Sequence, residues 1–550
     1  MPWPGPRRDF APGMRKIPAF SAAAVLLVLL AGCGVRETPA EAGRRTGTLL
    51  VGNQAEPADL DPHTVDAFTE MIVVSALFEG LTVLEERTSR GLPGAAARWA
   101  TSPDGRTWTF HLRPEARWSN GEPVTAGDFA YAFRRVLTPA LGSPSAHLLW
   151  VLRGARDFHE GRAPDFGQVG VEAVDDRTLR LHLAHPVPYL PTLTAHPAWY
   201  PVHRATLERF EAGARRGTAW TRPGNLVGNG AFTLAEWRPQ ARIAVARNPA
   251  YWDAAHTRLQ RVEFLPLEQP GAEEHAFRAG QLHVTFDLPA SRLGAYREAA
   301  DPRLRVDPLL NTWYLNLNVR RPPLDRPAVR RALALAIDRA ALSRAVYSGA
   351  RAPAGSFVPP GCGEYAPVAA TRTDPEAARR LLAEAGFPEG RGLPAIPLLA
   401  RNDGHLPKVA EAIQEMWRQI GITATIEVVE QKTWLEQQQQ GAHTAALLGW
   451  VADYADPLTF LGLFVTGGGN NWTGWADATY DGLLAEARET ADPAARAALL
   501  RRAETRLLEE APVSPLVHGA QTYLVDPTVR GWEPAPLGLH RFHRVELAAP

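Results

Sequence analysis

The sequence predicts a multi-domain α/β protein, on three observations. At 550 residues the chain exceeds what one hydrophobic core holds, so two or three domains are expected. Its first half alternates apolar and polar residues in the manner of half-buried strands. Its second half sets helical stripes directly before strands.

The strands come first. GTLLVGNQ (47–54) reads as one. RTWTFHLRP (106–114) puts Trp108, Phe110 and Leu112 on one face, and RTLRLHLAHP (177–186) does the same with Leu179, Leu181 and Leu183. Between them, TAGDFAYAFRRVLTP (125–139) opens with a Thr125-x-x-Asp128 capping box, and Phe129, Phe133 and Val136 follow at helical spacing. In DRPAVRRALALAIDRAALSRAVY (325–347), Asp325 and Pro327 mark a helix start. Val329, Leu333, Ala336, Ile337 and Ala340 then form a helical stripe. KVAEAIQEMWRQIGITATIEVVE (408–430) runs Val409, Ile413, Met416, Trp417 and Ile420 along a helix. At Gly421 the period switches, and Ile422, Ala424, Ile426 and Val428 alternate as a strand. Ala445 to Trp450 reads as the end of a buried strand, and further helices are expected over 477–489 and 493–510. EQQQQG (436–441) is too brief for a low-complexity tract.

Lys+Arg and Asp+Glu both number 59, so no basic excess points to nucleic acid. Sixteen tryptophans suit either a packed core or an aromatic-walled cleft. The start of the chain is more specific. MRKIPAFSAAAVLLVLLAGCG (14–34) places Arg15 and Lys16 before about 13 mostly apolar residues, the length of a signal-peptide core and too short to span a bilayer. Leu30-Ala31-Gly32-Cys33 looks like a lipobox, in which Cys33 would become the acylated N-terminus of an exported, membrane-anchored lipoprotein. The residues upstream of Met14 read as an extended leader or a displaced start. Cys362 is then the one remaining cysteine, so no internal disulfide is expected.

Catalytic motifs are missing: no Walker-type loop, HExxH, paired CxxC or GxSxG occurs. EEHAF (273–277) reads as a solvated charged helix face, and Glu509-Glu510 as an ordinary helix end. No enzyme activity, metal or cofactor is expected.

Six ordered stretches carry a resemblance: EPADLDPHTVDAFTEMIVVSALFEGLT (56–82), ARWATSPDGRTWTFHLRPEARWSNGEPVTAGDFAYAFRRVLTP (97–139), NGAFTLAEWRPQARIAVARNPAYWD (229–253), FRAGQLHVTFDLP (277–289), LNLNVRRPPLDRPAVRRALALAIDRAAL (315–342) and GWVADYADPLTFLGLFVTGGGNNWTGWADATYDGLL (449–484). From about residue 48 onward the chain resembles the oligopeptide-binding proteins of bacterial ABC importers, extracellular solute-binding family 5. The resemblance implies a type II-like periplasmic binding protein fold, two lobes joined by a hinge plus an extra inserted domain. It divides the chain into a signal peptide (1–32), a linker (33–47), lobe I (48–80, 205–310 and 525–550), domain II (81–204) and lobe III (311–524). It also implies an oligopeptide ligand held between the lobes, permease subunits as partners, a lipid anchor in the membrane and a monomeric receptor on the periplasmic or cell-surface side.

Site residues follow from the same resemblance. Asp453 matches the aspartate that receives the peptide α-ammonium, and Asp66 matches a second acidic cleft position; either carboxylate has the alternative of fixing its own loop. Asp456, ahead of Pro457, is expected to cap a helix. Trp450, Tyr454, Trp313 and Tyr314 are candidates for cleft walls or for core. Asn311 and Val451 occupy the positions of a cysteine pair found in enterobacterial-type members, and Gln438 and Leu447 those of basic side chains beneath the peptide carboxyl end. His405 lies near a histidine of similar role. Other amine-bearing solutes, such as a murein peptide or a metal chelate, remain open as ligands, as do a sensor and an exported enzyme as roles.

Overall fold

The computed structural model describes residues 37–549, with Met1 and Gly5 ahead of them. The signal-like segment and Cys33 lie outside the described residues.

Three large sheets organise the α/β chain. In the first, Thr48–Gly52 pairs in parallel with Arg261–Leu265, and Arg242–Arg247 and Phe232–Arg238 continue it antiparallel. The second is an antiparallel sheet in the order Ala96–Thr101, Thr107–Leu112, Thr178–His182, Val171–Asp175. The expected faces are realised there, with Trp108, Phe110, Leu112, Leu179 and Leu181 all buried. The Ala126–Leu137 helix forms with both halves of its capping box, Thr125 receiving the Asp128 N–H while the Asp128 carboxylate receives that of Thr125.

The third sheet has five strands in the order Ala424–Val429, Ile396–Arg401, Ala445–Val451, Leu304–Leu317, Val513–Leu524. Its two faces carry separate cores. Tyr314, Ala446 and Leu448 face one, which the Ala478–Glu489 and Pro493–Glu510 helices close. Leu315, Leu317 and Leu447 face the other, against the Leu406–Arg418 helix and its neighbours. Alternation along the strands supplies both sides, as a sheet covered on both faces requires. The two longest strands, Leu304–Leu317 and Val513–Leu524, pair antiparallel, with register shifts between Pro308 and Thr312 and between Trp313 and Tyr314. Beyond Leu524, Val525 bridges to Val284, which bridges to Val51 of the first sheet. This strand pair therefore links the two sheets.

Three local expectations change. The 325–347 stripe is two helices, Pro327–Leu335 and Arg339–Tyr347, because the Asp338 carboxylate accepts the Ala341 N–H at 2.8 Å and starts a new helix. Val329, Leu333, Ala336 and Ile337 are nonetheless buried. EEHAF is no solvated face. Glu273 accepts the Asp287 N–H, Glu274 accepts from Tyr296 and Arg292, and both carboxylates are buried. A Cβ at Gly52 would collide with the Glu273 carboxylate, which explains the glycine at that strand end. Asp456 does accept the Leu458 N–H at 3.0 Å, but its larger commitment is a buried bidentate pair with Arg496 at 2.7 and 2.8 Å.

Breaking that pair leaves a buried guanidinium without its anion, so Asp456→Ala should cost about 3–5 kcal/mol in chemical denaturation. A loss under 1 kcal/mol would reduce Asp456 to the local cap expected of it. A second test uses His518, buried beside the Thr312 and Ser356 hydroxyls and lowered from 6.5 to about 4 by burial. The unfolded chain binds this proton below pH 6.5 and the folded chain does not, so acidification through that window removes stability. His518→Gln lacks the proton, so its stability deficit against wild type should shrink between pH 7 and pH 5; a constant deficit rejects the assignment.

Candidate functional site

A cavity of about 540 Å³ forms where the end of the Ala445–Val451 strand meets the Phe68–Leu77 helix, the Ala290–Glu298 helix and the C-terminal strap around Leu537. That volume lies in the range of ligand sites for small molecules and short chains. Its walls are largely apolar, with Phe68, Met71, Phe286, Leu293 and Leu537 prominent.

The strand sets the site's geometry. The Leu304–Leu317 strand follows one edge of Ala445–Val451 to its end, pairing Asn311 with Val451. Along the other edge, the Ile396–Arg401 strand pairs only at Ala445 and Ala446 and then diverges. From Leu447 to Val451 that edge has no strand partner among the described residues. Val451 is 57% exposed and lines the cavity. Opposite it, the Asn311 side-chain amide donates to the Trp450 carbonyl at 2.9 Å, and a Cβ at Gly519 would run into that side chain. A hydrogen bond thus stands where the resemblance places a disulfide.

Asp453 follows two residues later and lines the cavity, half-buried. Its N–H donates to the Thr459 hydroxyl at 3.3 Å, and that hydroxyl donates back to Oδ2 at 3.4 Å. No cation pairs with it among the described residues. Burial pushes its pKa above the usual carboxylate value, while the charge of His147 and the Thr459 contact pull the other way. Asp66 also lines the cavity, exposed, on a loop whose Asp66 and Ala67 N–H groups both donate to Glu70 at 3.2 Å. His405 is the third expected residue in the wall, its pKa lowered by burial and by Arg351.

The other candidates lie outside this lining. Tyr314 and Leu447 are core residues on opposite faces of the sheet. Trp313 lies across Gly449, its register partner, where a Cβ would meet the indole at 2.9 Å. Tyr454 stacks on Tyr189 with centroids 4.8 Å apart. Trp450 packs on the same core as Leu448, and its indole N–H has no partner among the described residues. Gln438 is buried and donates to the Trp434 carbonyl at 3.4 Å.

Two charged residues of the wall were not among the expected site residues. Asp287 is raised to about 6 by burial, against the Leu288 N–H, Arg351 and Thr522. Arg351 lies after the Arg339–Tyr347 helix, its guanidinium 4.1 Å from the Tyr347 ring centroid. Arg351 belongs to no motif, and Asp287 lies within the FRAGQLHVTFDLP stretch. No group of three or more His, Cys, Asp or Glu among the described residues is arranged to hold a metal.

Comparison with known proteins places this arrangement. The family model for bacterial extracellular solute-binding proteins, family 5, matches residues 92–472. The periplasmic oligopeptide-binding protein OppA of Escherichia coli K12 is 34% identical over 93% of this chain and 95% of its own. Among solved structures, the Escherichia coli murein tripeptide binding protein MppA superposes with a TM-score of 0.77 at 32% identity, over 91% of this chain and 98% of its own. Haemophilus influenzae OppA in complex with RPPGFSPFR gives 0.75 at 32% identity, over 91% and 99%. With the match spanning most of the chain, this protein belongs to the bacterial extracellular solute-binding proteins of family 5.

Proposed function

We propose that this protein is an oligopeptide receptor of an ABC importer, exported, anchored through Cys33, and closing over its ligand before delivering it to the permease. The observation that carries the reading is Asp453. It is a half-buried carboxylate without a cation among the described residues, placed just beyond a strand edge free of partners. An extended peptide can add to such an edge through its main chain, as in strand addition, and leave its side chains to the apolar walls. The α-ammonium then meets Asp453, which satisfies two groups that are each costly to desolvate alone. Asp66 adds a second carboxylate to the cavity lining. Relatives named for oligopeptides and for a murein tripeptide, one solved with RPPGFSPFR, support the ligand class.

We further propose the division into lobe I (48–80, 205–310 and 525–550), domain II (81–204) and lobe III (311–524), whose 310/311 boundary falls inside the register shift between Pro308 and Thr312. A bulged strand pair joining two sheets is a suitable place for a hinge, since a few residues there can absorb the rotation.

Calorimetry with tri- to pentapeptides tests the role of Asp453. Asp453→Asn should weaken binding about 10²- to 10³-fold. N-acetylation should do the same to wild type and add nothing to the variant. Acetylated and free peptides binding wild type equally would reject the role. Response to cell-wall fragments alone would move the reading to another amine-bearing solute. The pH dependence has a definite sign. Asp453 must be ionised to hold an ammonium, and its pKa is raised, so affinity should fall on acidification from a higher pH than an ordinary carboxylate would allow, and more steeply than in Asp453→Asn.

A further inference from the structure

Domain II reaches across to the turn that carries Asp453. Tyr189, just ahead of the Leu190–Leu193 helix, lies face to face with Tyr454, the ring centroids 4.8 Å apart and the planes 4° from parallel. Parallel rings at that separation are offset, the arrangement their quadrupoles favour. The Arg496 guanidinium carbon lies 5.4 Å from the centroid of the same Tyr189 ring. Tyr189 also packs on the core that the Ala478–Glu489 and Pro493–Glu510 helices close, and Tyr454 on the core shared by the first two sheets. Each side therefore places an aromatic ring on the other's core. The Arg106–Glu489 ion pair joins the same two parts of the chain at 2.5 Å, but it is exposed and screened by solvent.

Asp453 and Tyr454 are adjacent, so fixing the tyrosine ring fixes the backbone from which the carboxylate projects. The rest of the turn is tightly held. The Asp456 N–H donates to the Tyr454 carbonyl at 2.9 Å, and the Asp456 carboxylate takes Arg496, the cation that also approaches Tyr189. Gly363, with φ of 58°, comes so close to the Ala455 carbonyl that a Cβ would stand 2.9 Å from it. The Asp453 carboxylate itself is held loosely, by one Thr459 hydroxyl at 3.4 Å, longer than an ordinary hydroxyl bond. Its orientation therefore depends on the backbone, and the backbone on what is stacked against Tyr454. Ordering a carboxylate only when the ligand arrives would subtract from affinity, whereas a turn fixed beforehand avoids that cost.

We infer that Tyr189 is a positioning residue for the ligand's ammonium: through its stack on Tyr454, domain II holds Asp453 in the orientation that receives the charge. The inference rests on the peptide-receptor reading and gives the inserted domain a part in binding through a side chain that lies outside the cavity lining. The ring carries this role, because stacking needs the π-face and not the hydroxyl.

The test measures affinity for tri- to pentapeptides with free and with N-acetylated amino ends, by calorimetry and displacement, on wild type, Tyr189→Ala, Tyr189→Phe, Asp453→Asn and the double variant. Tyr189→Ala should weaken binding of free peptides about 10-fold and leave binding of acetylated peptides unchanged. Tyr189→Phe keeps the stack and should bind as wild type does. In the Asp453→Asn background Tyr189→Ala should add nothing, since a positioning residue acts only through the group it positions. Free-peptide affinity of Tyr189→Ala within about twofold of wild type overturns the inference and leaves the peptide reading intact. A loss that is equal for acetylated peptides, or that persists in the double variant, also overturns it and assigns the stack to stability alone. If Tyr189→Ala does not fold, Tyr189→Leu, which keeps apolar volume without a ring, takes its place under the same criteria. Wild type that binds no peptide, or binds acetylated and free peptides equally, rejects the underlying reading and the inference with it.

Discussion

Taking a charge out of water is costly, and this chain supplies a partner almost everywhere it does so. Asp61 and Arg135, each about 1% exposed, form a bidentate pair at 2.9 and 2.6 Å beneath the second sheet. Asp456 and Arg496 do the same beside the third. Glu504, fully buried on the long C-terminal helix, accepts the N–H groups of Phe357, Val358 and Val368 and the Tyr365 hydroxyl. Arg330 gives its donors to the carbonyls of Glu510 and Leu324. Against that background Asp453 and Arg351 differ. Both are partly withdrawn from water, and both line the cavity of about 540 Å³ without an ion-pair partner among the described residues.

The sheet explains why the unmet groups collect there. A strand covered on both faces and paired on both edges has nothing left to offer a ligand. Ala445–Val451 is paired on both edges only at Ala445 and Ala446 and then outruns its parallel neighbour. Its exposed end delivers free main chain, a bare Val451 side chain and Asp453 in immediate succession. Recognition through main chain and terminal charges suits a receptor that tolerates many side chains, because neither feature depends on peptide sequence.

Much of this was legible along the chain. Period-two and period-3.6 burial patterns identified the strands around Trp108 and Leu179 and the helices over 126–137, 406–418 and 493–510, since each pattern reports which face a residue turns to the core. The family followed from motif order, and with it the expectation that Asp453 meets an ammonium. Local reading went astray where a side chain's partner is distant in sequence. Glu273 and Glu274 resembled a solvated face because the N–H of Asp287 and the hydroxyl of Tyr296 that satisfy them lie well downstream. The pairing of Asp456 with Arg496, beyond its bond to the Leu458 N–H, went unseen because Arg496 is forty positions away.

The sequence by itself therefore determined the α/β class, the family and the acidic residue at the strand end, because periodicity and motif order are local properties. The tertiary structure alone decided that Tyr314 and Leu447 are core, that Asn311 bonds across to Trp450, and that Arg351 enters the wall beside Asp287. Those outcomes depend on segments distant in sequence arriving at one place, and no local pattern of residues records which side chains will meet there.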